Sequence, residues 1–126
     1  MRGSRRRDTR PELALRQELH RRGLRYGVDR PVVAGAVRVR PDVVFPRVRV
    51  AVFVDGCWWH RCPVHGREPE RNLDYWTPKF ERNILRDRRV DAALEADGWT
   101  VIRIWEHESA GDGADLVETV IHREAR

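Results

Sequence analysis

From Val48 to Asp55 the chain reads Val-Arg-Val-Ala-Val-Phe-Val-Asp, and that run constrains the fold more than any other. Valine at every second position specifies an extended strand. The alternate positions hold Arg49, Ala51, Phe53 and Asp55, so only Arg49 is strongly polar within the run and neither face suits water. A strand of this kind belongs in the interior of a sheet covered on both faces. Active groups of open α/β sheets gather where such strands end. Here the end is Asp55, followed at once by Gly56-Cys57-Trp58-Trp59-His60-Arg61-Cys62-Pro63-Val64-His65, which contains both cysteines of the chain.

The 126 residues suit one domain with a sizeable core. Residues 1–8 read as a flexible basic arm and 9–126 as the domain. No apolar run is long enough to span a membrane, and the basic start lacks the apolar stretch of a secretory signal, so cytoplasmic residence is the default. In a reducing compartment a Cys57–Cys62 disulfide is disfavoured, and Cys57-x4-Cys62-x2-His65 reads as zinc ligation. Lys and Arg total 25 against 20 Asp and Glu, for a net +5, and Lys79 is the only lysine. Guanidinium groups fork onto phosphate as ammonium groups do not, which fits a nucleic-acid partner, although a GC-rich genome produces the same bias. Arg2, Arg5, Arg6, Arg7 and Arg10 could lie along a DNA backbone or form a solvated tail.

Thr9-Arg10-Pro11-Glu12 has the form of a capping box, with Thr9 accepting amide hydrogens and Glu12 reaching back. The helix it opens runs to about Arg22, buries Leu15 and Leu19 and stops at Gly23. Leu24 to Val28 is expected as a short edge strand and Pro31 to Ala36 as a loop. Val37 to Phe45 is expected as a strand whose embedded Pro41 implies an edge or a bulge. Arg67 to Arg71 is polar linker. Asn72 to Ala96 is helical, with a break expected near Thr77-Pro78. Phe80, Ile84, Val90 and Leu94 form its apolar stripe, and Arg82, Arg86, Arg88 and Arg89 spread over the rest. Trp99 to Trp105 is a strand with both tryptophans in the core. Asp112 to Arg123 is a helix with Leu116, Val117, Val120 and Ile121 facing inward. The order implies an α/β fold, a mixed sheet with helices on both faces. Asp42 at the start of one strand and Asp55 at the end of the next, close to basic sequence, suit a metal-dependent phosphodiesterase.

Five motifs occur in order: Thr9-Arg10-Pro11-Glu12, Arg40-Pro41-Asp42, Gly56-Cys57-x-Trp59-His60, Arg86-Asp87-Arg88-Arg89 and Val101-x-x-x-Trp105-Glu106. Together they make the chain resemble the very short patch repair (Vsr) endonucleases over about residues 8–108. The resemblance implies a restriction endonuclease-like, three-layer α/β/α fold with a structural zinc. It also implies magnesium-dependent nicking of duplex DNA on the 5′ side of the thymine in a T:G mismatch. Asp42 then corresponds to the aspartate that binds catalytic magnesium, and the Val54 carbonyl to a second ligand. His60 corresponds to a histidine that moves a proton at the scissile phosphate, and Glu12 to a helix glutamate that reaches the same site through water. Cys57, Cys62 and His65 correspond to three of the zinc ligands, and His107 stands where the family often has a cysteine, so four ligands would close that site and leave His60 outside it. Trp58 and Trp59 correspond to an aromatic wedge beside the mismatch; Arg5, Arg6, Arg7, Arg86 and Arg89 are read, from their charge, as contacts to the DNA backbone.

The chain departs from that pattern at two places. Asp55 stands where well-known members have a histidine, so a proton-transfer group is missing; the aspartate either adds a second magnesium carboxylate or caps the turn that follows. The arm is almost all arginine, where the family uses an apolar residue to pry the mismatch open. The expected partner is double-stranded DNA met by a monomer at the bacterial nucleoid, with mismatch-repair proteins as further partners and no membrane. Three rivals stay open: a nuclease of the same fold without mismatch preference, a DNA-binding module that has lost catalysis, and a structural zinc protein that binds partners through exposed aromatics. Steep salt dependence separates the last two.

Overall fold

The computed structural model describes residues 9–56 and 73–125. Along them run α1 (Arg10–Arg21), β1 (Val32–Ala34), β2 (Val37–Val39), β3 (Val43–Phe45), β4 (Val50–Asp55), α2 (Leu73–Ala96), β5 (Thr100–Trp105) and α3 (Ala110–Glu124). β4 lies between β3, which is antiparallel to it, and β5, which is parallel, so the sheet is mixed. All six residues of β4 are buried, as its composition requires.

The two-residue periodicity of β4 divides the core. Val50, Val52 and Val54 join Val43, Phe45, Ile102 and Ile104 on the face covered by Leu15 and Leu19 of α1 and by Ala114, Val117 and Val120 of α3. Ala51 and Phe53 join Val44 on the opposite face, under Val90 and Leu94 of α2 and Val32 and Ala34 of the β1–β2 hairpin. Full burial of a side chain of this size is worth roughly 1.5–3 kcal/mol, so a one-residue slip that exchanged the faces would misplace the whole set. Helices thus flank the sheet in three layers, an arrangement that fits a restriction endonuclease-like fold. Among the described residues, no helix is long and apolar enough to cross a membrane.

Several elements depart from their expected form. Thr9 occupies the cap position of α1, but its side chain makes no capping hydrogen bond. Leu24 to Val28 is irregular and touches the sheet through one bridge, Gly27 to Val44. The expected loop at Pro31 to Ala36 contains β1, paired with β2 across a turn in which Gly35 has φ +59°. Val37 to Phe45 is two strands in two sheets, because Pro41 has no N–H to continue a ladder. The central strand begins at Val50, since Arg49 has φ +57°. That turn carries the Arg49 guanidinium over Trp99, 5.5 Å from the ring centre, and to Asp97 at 3.3 Å. α2 runs unbroken through Pro78. Leu116 faces solvent, while Val117 and Val120 are buried as expected. Trp99 precedes β5 rather than opening it, and both it and Trp105, the last residue of β5, are partly buried.

Candidate active site

β3 pairs with β4 only as far as Val43 opposite Val52, and there Asp42 takes over. Its N–H donates to the Val52 carbonyl at 2.9 Å, and its Oδ2 accepts the Val54 N–H at 2.7 Å. Pro41, buried and conformationally restricted, delivers the residue to this position. At 2 % exposure, the Asp42 carboxylate is held by main chain rather than by solvent. A residue in an extended strand directs its N–H and C=O to the same side, so the Val54 carbonyl also leaves β4 on the Asp42 edge. A carboxylate and a carbonyl on one strand edge are hard oxygen donors of the kind magnesium takes.

Glu12 is 1 % exposed in the first turn of α1, on the inward stripe it shares with Leu15 and Leu19. Its Oε1 accepts from Arg16 Nη2 at 3.4 Å, and Arg16 is itself buried.

Asp55 closes β4 at 5 % exposure, and its Oδ1 accepts from Arg103 Nη1 at 3.0 Å. Arg103 also donates to Asp91 through Nε at 3.0 Å and Nη2 at 2.7 Å, lies 3.8 Å from Asp87, and stacks over Phe53 at 4.3 Å. Burial works against the guanidinium charge, but the hydrogen bond to Asp91 and the fields of Asp55, Asp87 and Asp91 outweigh it, and the pKa is raised. Sequence reasoning passed over Arg103. The available signal was a cation at an inward position of β5, with Asp87 and Asp91 one helical turn apart on the element covering that face.

β4 and β5 end in register, Asp55 opposite Trp105, and the Glu106 N–H donates to the Asp55 carbonyl at 2.9 Å. Cys57 and His107 are each two residues beyond that pair in sequence, so the chain segments leading to them leave the sheet side by side. His107 lies exposed in the turn after β5. Cys57, Trp58, Trp59, His60, Cys62 and His65, with Arg5, Arg6 and Arg7, fall outside the described residues. Among those described, no three His, Cys, Asp or Glu side chains gather where one ion could meet them. Arg82, Arg86, Arg88 and Arg89 are exposed along α2, and Arg86 donates to Asn83 at 3.1 Å.

Residues 1–65 match the family described as DNA mismatch endonuclease Vsr. The chain is similar to the type II nicking enzyme V.NaeI of Lentzea aerocolonigenes, 49 % identical over 126 residues, which cover 98 % of this chain and 76 % of that protein. It is 45 % identical over 109 residues to the type II nicking enzyme V.XorIIP of Xanthomonas oryzae pv. oryzae, covering 85 % of this chain and 76 % of that protein. It is 34 % identical over 102 residues to the DNA mismatch endonuclease Vsr of Escherichia coli, covering 79 % of this chain and 62 % of that protein.

Proposed function

The chain belongs to the Vsr family of DNA mismatch endonucleases, and from that premise we propose that it nicks one strand of duplex DNA on the 5′ side of the thymine in a T:G mismatch, with magnesium, as a monomer. The observation that carries the reading is the buried Asp42 carboxylate, anchored on Val54 where β3 has ended and the edge of β4 is open. Asp42 and the Val54 carbonyl would hold the ion. Bound there, magnesium supplies Lewis-acid stabilisation of phosphoryl charge and a lowered pKa for attacking water.

The protein side chains position and protonate. Glu12, inward on α1, orients water at the site. His60 moves a proton at the scissile phosphate, work suited to an imidazole that titrates near neutrality. Trp58 and Trp59 wedge between base steps, at an unstacking cost that is least at a mismatch, so insertion itself favours T:G. The arm arginines and Arg86 and Arg89 hold phosphates and set register without reading sequence.

The test is a magnesium-dependent assay on duplexes with separately labelled strands, matched or carrying T:G in several flanking contexts. Nicking of only the thymine strand of T:G duplexes is expected. Equal cutting of matched DNA would remove the mismatch and leave a nuclease. That second reading is favoured by Asp55 in place of the family histidine and by relatives named as type II nicking enzymes. Binding without cutting of either duplex would leave a DNA-binding module.

A further inference from the structure

We infer that Asp55 and Arg103 form a positioning pair for the nicking reaction: the guanidinium holds the Asp55 carboxylate, and together they fix where the chain leaves β4 on the way, in sequence, to His60. The inference rests on the nuclease reading above. Phe53 is opposite Arg103 and Asp55 is opposite Trp105, so Arg103 and Asp55 are diagonal neighbours on the face covered by α2. Arg103 is gripped from two elements, by Asp55 of β4 at 3.0 Å and by Asp91 of α2 at 2.7 Å, with Phe53 beneath it. Its planar fork spans both carboxylates and stays charged at every working pH.

This arrangement assigns Asp55 differently from Asp42. Asp42 takes a neutral main-chain amide on Oδ2, whereas Asp55 already faces a fixed cation that would repel a metal ion. One residue beyond Asp55 the chain enters the Gly56-Cys57 sequence, and its carbonyl holds Glu106 of the parallel strand. The pair therefore ties α2, with its exposed arginines, to the strand end that precedes Gly56 in the sequence. A misplacement near 1 Å at that origin is enough to cost about 10²-fold in rate.

The test compares Asp55→Asn, Arg103→Gln, Arg103→Lys and the Asp55→Asn/Arg103→Gln double variant with the full chain. Each of the two neutral single variants should lower kcat about tenfold or more while KM for duplex and the magnesium needed for half-maximal rate stay within about twofold. The double variant should be no slower than the slower single one, as for residues that act as a unit. Arg103→Lys, which keeps the charge and loses the fork, should recover part of the rate. Amide exchange at Val54 and Glu106 should quicken about tenfold in both neutral variants, with Val52 and Ile102 unchanged as proof of folding. A large rise in magnesium requirement for Asp55→Asn alone would make Asp55 a metal ligand and overturn the pair, as would multiplicative losses in the double variant. If the unaltered chain nicks no duplex, the nuclease reading fails. Exchange then decides the pair, and unchanged protection at Val54 and Glu106 overturns it.

Discussion

Asp42 is held at two points by β4, through its own N–H and through Oδ2, so its carboxylate cannot swing away from the Val54 edge without breaking main-chain contacts. Asp42→Asn keeps the shape and one acceptor but removes the charge. On the proposed mechanism the charge is what holds the ion, and loss of metal stabilisation worth several kcal/mol should lower the nicking rate by about 10³-fold or more. Duplex affinity should change little, because on the proposed reading the phosphate contacts come from arginines elsewhere. Rate and binding measured together on a T:G duplex check this, and a variant that nicks at the normal rate would remove Asp42 from the site. Asp42 was readable in the sequence because Pro41-Asp42 stands within an apolar strand pattern. The Asp55–Arg103 contact was not, since it depends on the register of two strands separated by the whole of α2.

At the scale of elements, α1 is fastened to α3 by charge as well as by Leu15, Leu19 and Val117. Arg22 donates to Glu18 at 2.8 Å, to Asp115 at 2.8 Å and to Glu118 at 3.0 Å, and these partners raise its pKa. Hydrogen bonds from Arg21 and then Arg22 lower the pKa of Glu18 below its ordinary 4.5. A carboxylate with a lowered folded-state pKa contributes stability above its unfolded value and loses it as pH falls through the folded value. Arg22→Ala should therefore lower the melting temperature at neutral pH, and its difference from the unaltered chain should shrink below pH 4.5. Thermal melts of both at neutral and acid pH give the check, and a difference independent of pH would place the role of Arg22 in packing. The sequence located α1, α3, β4 and β5 because each carries enough periodic apolar residues to define a face. It missed β1, whose three residues are too few to show a period, and it joined β2 to β3 because the valines on either side of Pro41 read as one run. α2 tolerates Pro78 because Val90 and Leu94 hold it on the sheet beyond the proline, so packing overrides the local break.

For the molecule as a whole, β4 and β5 finish at the same end of the sheet, and both Asp42, held on the Val54 amide, and Asp55 lie there. The parallel register places Asp55 beside Trp105, and the sequence then needs two residues on each segment to reach Cys57 and His107. With Cys62 and His65, these would complete a four-ligand zinc site joining the loop after β4 to the turn after β5, and a site with only protein ligands is structural. The two ends diverge in sequence by the length of α2, so a metal clip across them would close a long loop, where cross-links constrain the unfolded chain most. Protein purified in metal-free buffer should carry one zinc per chain by elemental analysis. Cys62→Ala and strong chelation should each release it, lower the melting temperature and reduce nicking, because Trp58, Trp59 and His60 lie in sequence between the ligands Cys57 and Cys62. The loss should be restored by zinc for the chelated protein and not by magnesium. Zinc-free protein that is equally stable and equally active, or a Cys57–Cys62 disulfide in reduced preparations, would show that the loop is held by other means.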